Sequence, residues 1–495
     1  MRQLIDQASS STFQPSTSSS DFWLSSPVTL YPSRDIKMTR PLNVGIKAIE
    51  IYFPNRYVPQ PDLERYMHVS AGKHTIGLGQ TNMSFCDDRE DINTLALTTV
   101  SALLHKNTIP ATSIGYLGVG TESLLDRSKS TKTVLMQLFA PDNPDIEGVD
   151  SYNACYGGTA ALLAAVAWIE SAAWDGRDAV VVCGDIAAYA REDAAARPTG
   201  GVGCVAMLVG ADAPVVLETG VPRASYMRHA WDFFKADFGR EAAVVDGRLS
   251  ERCYLEAVDG CYRGWVRKMS ALQKGGREGE EVAGAGVGVG VGIDAFDYFL
   301  FHAPNCKLVA KAYARLLWND LLRRGEIPEE LRPVSLDDES TLADKGLEKQ
   351  VMALARSRFE ERVQPGLLVP TQCGNMYTAS LYSGLVGLLA SVPSERLQGK
   401  RIGLFSYGSG LASTLFTLVV RGDTSVMAQR LDLHSRLAAR VSAAPEVWDE
   451  MCRLREAAFQ RREYGPRGEV GDLLAGTYYL EYVDAKLRRR YAVKA

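Results

Sequence analysis

At 495 residues, with 46% hydrophobic and 23% charged, the chain can bury two cores or one large duplicated one. Its formal charge of -4 is spread along the sequence, which argues against a polyanionic partner such as nucleic acid and requires a few placed cations for any anionic ligand. No apolar run reaches the roughly 18 residues of a membrane span, and the Gly/Val alternation from Gly284 to Gly292 is too short and glycine-rich, so no membrane partner is expected.

Residues 1–40 are rich in Ser, Thr and Pro, lack the apolar core of a signal peptide, and read as a disordered N-terminal extension. A mitochondrial transit peptide is the alternative, weakened by Asp6, Asp21 and Asp35; Met38 could equally be the start. From Asn43, VGIKAIEIYFP is a strand that ends at a proline, followed by a short polar helix over Pro61 to Met67. Asp91 caps the helical run INTLALTTVSALLHKN, and IGYLGVGTE reads as a buried strand that leaves Glu122 at its C-terminal end. A polar helix, TKTVLMQLF, precedes DSYNACYGGTAALLAAVAWIESAAW, where a short extended stretch runs into a small-residue helix with Cys155 at the junction. DAVVVCGDIAAY is apolar in a continuous run, as a strand buried on both faces should be.

After a less regular middle section, residues 274–293 are low in complexity and read as an inserted surface loop. The pattern then repeats. FDYFLFHAP is a strand ending in His302, KLVAKAYARLLWNDLLRRG an amphipathic helix, LLVPTQCGNMYTASLYSGLVGLLA a second strand-turn-helix, and KRIGLFSYGSGLASTLFTLVV a closing strand. Two halves of similar order imply an α/β class, a duplicated layered architecture, and one cleft fed by strand ends.

The nine cysteines form no short-spaced pairs, which favours reduced thiols in a cytosolic setting. Eight read as small buried hydrophobes. Cys155 differs, because Tyr156, Gly157, Gly158 and Thr159 lead straight into a helix whose free N–H groups and positive end should lower its pKa. The glycines should let a thioester and its oxyanion approach the backbone. His302 at a strand tip suits a base or donor, although a satisfied core histidine fits the same pattern. Burial at the end of its strand would raise the Glu122 carboxyl toward neutrality and suit it to removing a carbon-bound proton. Lys307 and Lys311, four apart on one helix face, fit either a solvated face or cations for an anionic ligand.

The segments IGLGQ (77–81), DREDIN (88–93), VGTES (119–123), NACYGGTAA (153–161), GDIA (184–187), RPTGGVG (197–203), HAPNCKLVAK (302–311) and FSYGSGLA (405–412), taken in order, resemble the 3-hydroxy-3-methylglutaryl-CoA synthases from about Asn43 to the C-terminus. The resemblance implies a thiolase-like fold of two related αβαβα halves in five layers, over 41–214 with the nucleophilic thiol and 215–495 with the histidine. It also implies a cytoplasmic homodimer that condenses acetyl-CoA with acetoacetyl-CoA and water to 3-hydroxy-3-methylglutaryl-CoA and CoA, early in the mevalonate pathway to isoprenoids and sterols. Neither metal nor cofactor is implied beyond the CoA thioesters. By position, Cys155 would carry the acetyl group, Glu122 would act as acid and base, and His302 would polarise the acetoacetyl thioester. Lys73, Lys307 and Lys311 would meet CoA phosphates; Ser70, Ala71, Thr199, Ser250, Asn375 and Ser409 would contact substrate; Asp126, Asp185, Asp232 and Tyr377 would support the site. Ser70 replaces the family's usual Asp, and Ala195 falls where a substrate-contacting Asn is common, so affinity is the property these departures touch. Two rivals remain, another condensing enzyme and a non-catalytic CoA-binding paralogue. Of the first kind, a thiolase would carry a second reactive cysteine where this chain has Ser409 and a ketoacyl synthase would not need Glu122; the paralogue would not need Cys155, Glu122 and His302 together.

Overall fold

A capping box opens the first long helix. The Asp91 carboxylate accepts from Thr94 N, the Thr94 hydroxyl accepts from Asp91 N, and the helix runs Ile92–Lys106, where the sequence placed it. The computed structural model of the chain describes residues 41–275, 290–332 and 335–495. The extension expected over 1–40 and most of the loop expected over 274–293 lie outside the described residues.

Ten strands form one mixed sheet in the order Tyr298–Phe301, Arg401–Gly408, Ala412–Val420, Val215–Leu217, Gly45–Tyr52, Gly201–Gly210, Asp178–Ala187, Ile114–Gly120 and Asp150–Ser151. Ala224–Met227 pairs with Ala412–Val420 off this path. The duplication is visible in the pairing. Ile114–Gly120 lies parallel to Asp178–Ala187, which returns antiparallel as Gly201–Gly210; Tyr298–Phe301 lies parallel to Arg401–Gly408, which returns antiparallel as Ala412–Val420.

Strand alternation then builds the layers. Ala179, Val181 and Cys183 face the helices Gly157–Ile169 and Ser380–Ser391, while Val180 and Val182 face Leu95, Val100 and Leu103 of the Asp91-capped helix. In the second half Leu300, Ile402 and Leu404 face the same central pair of helices, and Phe299, Phe301 and Phe405 face the outer helices Gly247–Gly275 and Cys306–Arg324. Helix, the strands of the first half, helix pair, the strands of the second half and helix pair make the five layers of a thiolase-like αβαβα fold, the two sets of strands being joined edge to edge through Val215–Leu217. Among the described residues no helix is long and apolar enough to cross a membrane.

Two expected elements are different. LLVPTQC is the helix Leu368–Cys373 and not a strand: its apolar run is too short to separate strand from buried helix by period, and Pro370 sits in the first turn, where its missing N–H costs nothing. The closing strand is a hairpin, with residues 409–411 as its turn between Arg401–Gly408 and Ala412–Val420. The strand Gly201–Gly210, glycine-rich at its start, was hidden behind RPTGGVG in the sequence reading.

Candidate active site

Glu122 and Cys155 meet because two backbones touch. A Cβ on Gly120, at the end of the Glu122 strand, would stand 2.3 Å from Gly158 N, and one on Gly158 would stand 2.8 Å from Cys183 Sγ and Thr378 O. A Cβ on Gly157 would stand 2.6 Å from Ser151 O, so the space beside Gly157 and Gly158, expected to admit a thioester, is filled by protein, and these glycines serve packing. Ala154 adopts φ 44°, a left-handed conformation that turns the chain into the helix Gly157–Ile169 and sets the thiol on the turn before it. The Cys155 thiol donates to Glu122 Oε1 at 3.8 Å.

Burial above all, with the nearby Asp185 carboxylate, raises the Glu122 carboxyl to about 7, against the pull of Lys235. The Cys155 thiol is pushed well above its usual value by burial, then by the Glu122 and Asp185 carboxylates. That corrects the expectation of a thiol lowered by the helix end, because desolvation and two acids outweigh it. Seven of the nine free cysteines are buried; Cys155 and Cys452 are partly open.

Asp185, fully buried, is the anchor of the carboxyl. Its Oδ1 accepts from Thr121 Oγ1 (2.8 Å), Glu122 N (2.8 Å), Ser123 N (3.0 Å) and Ser123 Oγ (2.8 Å); its Oδ2 accepts from Thr378 N (3.0 Å) and Thr378 Oγ1 (2.5 Å). It ties the first half's strand end to the turn before the second half's central helix.

His302 follows the strand Tyr298–Phe301, its N–H donating to Phe405 O at 2.8 Å and its carbonyl accepting from Tyr254 Oη at 2.6 Å. Gly408, at the end of the neighbouring strand, packs so tightly on the thiol turn that a Cβ would stand 2.3 Å from Asn153 O. Burial drives the His302 imidazole down to about 3, so it is neutral, and its Nδ1 is buried without a hydrogen-bond partner.

Asp232 is fully buried, accepting from Tyr407 Oη and Gly410 N at 2.9 Å each, and so fixes the turn that carries Ser409; Asn153 Nδ2 donates to the Ser409 carbonyl at 3.3 Å. Asn375 N donates to Thr199 O at 3.0 Å, while Asn375 Oδ1 accepts from Tyr377 N and Ser380 Oγ at 2.9 Å each. Thr199 and Asn375 are thus brought together, with the Asn375 carbonyl engaged in its own turn. Tyr377 adopts φ 43° and is buried.

The exposed Ser70, Ala71 and Lys73 lie on a surface turn whose amides at Gly72, His74 and Thr75 all donate to the Glu64 carboxylate, at 2.7–2.9 Å. Burial works against the Glu64 anion, but these bonds win and hold its carboxyl down at about 2. The turn leads into Leu78, whose carbonyl accepts from Lys307 N at 2.9 Å, so Lys73 and Lys307 reach the same region after His302. The Lys311 ammonium pairs with Glu251 at 2.7 Å and Glu348 at 3.3 Å, so its charge is met by two carboxylates of the protein. Asp126 is exposed and accepts from Ser128 N and Lys129 N at 2.7 Å, shaping its own loop; Ser250 lies in the first turn of Gly247–Gly275. Ala195 is exposed.

Sequence reasoning missed Glu64 and Lys235. The latter lies with Glu122 in a cavity of about 1060 Å³, and the signal was a lysine set in the aromatic run WDFFK. Among the described residues no His, Cys, Asp and Glu group could hold a metal ion.

A thiol, a carboxyl and a neutral imidazole delivered on strand ends of a duplicated αβαβα fold define a thiolase-like condensing enzyme. Family models for the N and C terminal parts of hydroxymethylglutaryl-coenzyme A synthase match residues 40–214 and 215–494. Hydroxymethylglutaryl-CoA synthase erg13A of Aspergillus fumigatus is 58% identical over 456 residues, 91% of this chain and 96% of that protein. The synthase of Saccharomyces cerevisiae is 49% identical over 458 residues, 92% of this chain and 91% of that one, and the cytoplasmic synthase of Pongo abelii 47% over 469, 91% and 87%. The structure of MvaS in complex with 3-hydroxy-3-methylglutaryl coenzyme A is 32% identical with a TM-score of 0.76, covering 92% of this chain and 99% of that one. The chain belongs to the hydroxymethylglutaryl-CoA synthase family, enzymes of the mevalonate pathway.

Proposed function

We propose that the protein condenses acetyl-CoA with acetoacetyl-CoA and water, through an acetyl-Cys155 thioester, to give 3-hydroxy-3-methylglutaryl-CoA and CoA. The observation that carries this reading is the Cys155 Sγ to Glu122 Oε1 contact at 3.8 Å, with the carboxyl poised at about 7. The Glu122 carboxylate takes the thiol proton as sulfur attacks acetyl-CoA, and CoA leaves protonated. It then removes a proton from the acetyl methyl, and the enolate attacks the ketone carbon of acetoacetyl-CoA. Neutral His302 donates a hydrogen bond to that substrate's carbonyl oxygen, and Glu122 returns its proton to the new alkoxide. Water finally cleaves the thioester and frees Cys155.

The pantetheine arm would enter past Lys73 and Lys307, whose ammonium groups suit phosphates; Ser70, Ala71, Thr199, Asn375 and Ser409 line its path in this scheme. No metal or further cofactor enters it. A homodimer is part of the reading, supported by the free sheet edge at Asp150–Ser151 with Val149 and Tyr152 61% and 72% exposed on either side. So is a cytoplasmic location, supported by the cytoplasmic relative of Pongo abelii.

The test incubates purified protein with acetyl-CoA and follows the Cys155 peptide by mass spectrometry, then adds acetoacetyl-CoA and assays product. An acetyl group on Cys155 that disappears as product forms is expected; no acetyl on that residue sinks the proposal.

A further inference from the structure

Several cations line the cavity beside Glu122, Arg127, Lys129 and Arg240 among them, and of these lining residues Lys235 is the one whose charged group is buried and unpaired. The Lys235 ammonium nitrogen is buried with no hydrogen-bond partner, 4.7 Å from the centre of the Tyr377 ring and 5.9 Å from that of Phe233. It lines the same cavity as Glu122, and its charge acts on both Glu122 and Cys155, favouring their anions against burial. An ammonium taken out of water is costly unless an anion meets it, and two ring faces replace only part of its hydration. Such a group is suited to an anion that arises during turnover.

The charges around it show which anion is in need. Glu122 and Asp185 are both carboxyls, and burial keeps His302 neutral. Hydrolysis then adds another acid. The carbon–sulfur bond to Cys155 breaks and a carbon–oxygen bond to water forms; one water proton goes to the sulfur, and the new carboxylic acid gives up the other, by way of the Glu122 carboxylate, to solvent. That carboxylate is born on the carbon that Cys155 held, in a desolvated site already holding two acids. Like charges so placed would oppose the step unless a cation receives the product.

We propose that Lys235 is a carboxylate-binding residue, which receives the carboxylate released from Cys155 and draws thioester hydrolysis toward product. The proposal rests on the acetyl-Cys155 reading above. It differs from a role in tuning Glu122, which would fall on carbon–carbon bond formation instead of release.

Single-turnover reactions with Lys235→Met and Lys235→Arg, quenched and read by mass spectrometry at the Cys155 peptide, separate the two. In Lys235→Met, acetylated Cys155 should form and convert to the condensed adduct, which then accumulates because release slows about 10- to 100-fold, the worth of one charge-assisted hydrogen bond. Lys235→Arg should restore most of the release rate. If Lys235→Met fails to fold, as judged by thermal unfolding, Lys235→Gln is read in the same way. The proposal is overturned if release keeps its wild-type rate, or if the acetyl group stays on Cys155 with no condensed adduct. Wild-type protein that never acetylates Cys155 refutes the underlying reading instead, and this inference falls with it.

Discussion

Replacing Asp185 by Asn tests whether the carboxyl's position and its proton affinity share one support. The change keeps shape but removes a charge and turns one oxygen into an N–H donor. Because Oδ1 accepts four of the six bonds, the amide oxygen should stay there and the new NH₂ should face Thr378 N and Thr378 Oγ1. The Thr378 hydroxyl can rotate to accept, but Thr378 N–H meets another donor in a buried site. One buried donor left unpaired and four charge-assisted bonds made neutral amount to about 3–6 kcal/mol of lost stability. If Glu122 shifts by about 1 Å as its tether loosens, the rate should drop on the order of 100-fold. The charge has a separate signature. Asp185 raises the Glu122 carboxyl, so its removal lowers that pKa and moves the acid limb of the pH–rate profile to lower pH. Steady-state assays across pH, with thermal unfolding alongside, measure both. An acid limb that stays in place or moves upward would refute the electrostatic assignment, and an undiminished rate would refute the tether.

Two further outcomes follow from groups whose proton affinities move in opposite directions. Glu122→Gln should abolish condensation yet stabilise the fold at pH 8 and leave it nearly unchanged at pH 4. The Glu122 carboxyl is raised to about 7, so its stabilising contribution is present below its unfolded value near 4.5 and is lost as pH rises through 7; melting curves at the two pH values check this. Glu64→Gln should raise KM for the CoA thioesters with kcat little altered, since the Gly72, His74 and Thr75 amides would lose their carboxylate while Cys155 and Glu122 stay in place. Initial-rate kinetics decide it, and a fall in kcat at unchanged KM would refute a place for the Glu64 turn on the proposed CoA path.

Most of the fold was legible because its strands are continuous apolar runs and its helices carry clear starts. Asp91 and Asn305 cap their helices through Thr94 N and Leu308 N, and both are short-range signals. The helix Leu368–Cys373 was not legible, since six residues with an apolar start carry no period that separates it from a strand. The site divides in the same way. The placement of Glu122, Cys155 and His302 was legible because each follows a strand, so position in sequence predicts position at a strand end. Lys311 could not be judged, because its partners Glu251 and Glu348 come from other helices and only folding brings them within reach. Glu64 was silent for the related reason that its role is to accept backbone N–H groups, which leave no trace in side-chain identity.

The raised thiol changes how the nucleophile must work. A free thiolate beside Glu122 and Asp185 would add a negative charge to a desolvated site that already holds two acids, which is why Cys155 is pushed up and not down. Thiol and carboxyl are coupled, and with one proton between them the carboxylate form of Glu122 is the state that can take it as sulfur attacks. In the proposed scheme attack and deprotonation are therefore one event, and the same carboxyl, now protonated, sheds that proton to the departing CoA before it works on the acetyl methyl. A pKa of about 7 suits a group that gains and loses a proton more than once per turnover. A thiol lowered by its helix end would have removed the need for Glu122 in the first step; under the proposed scheme the raised thiol makes Glu122 necessary from the start. Replacing Glu122 should accordingly slow acetylation of Cys155 as well as condensation.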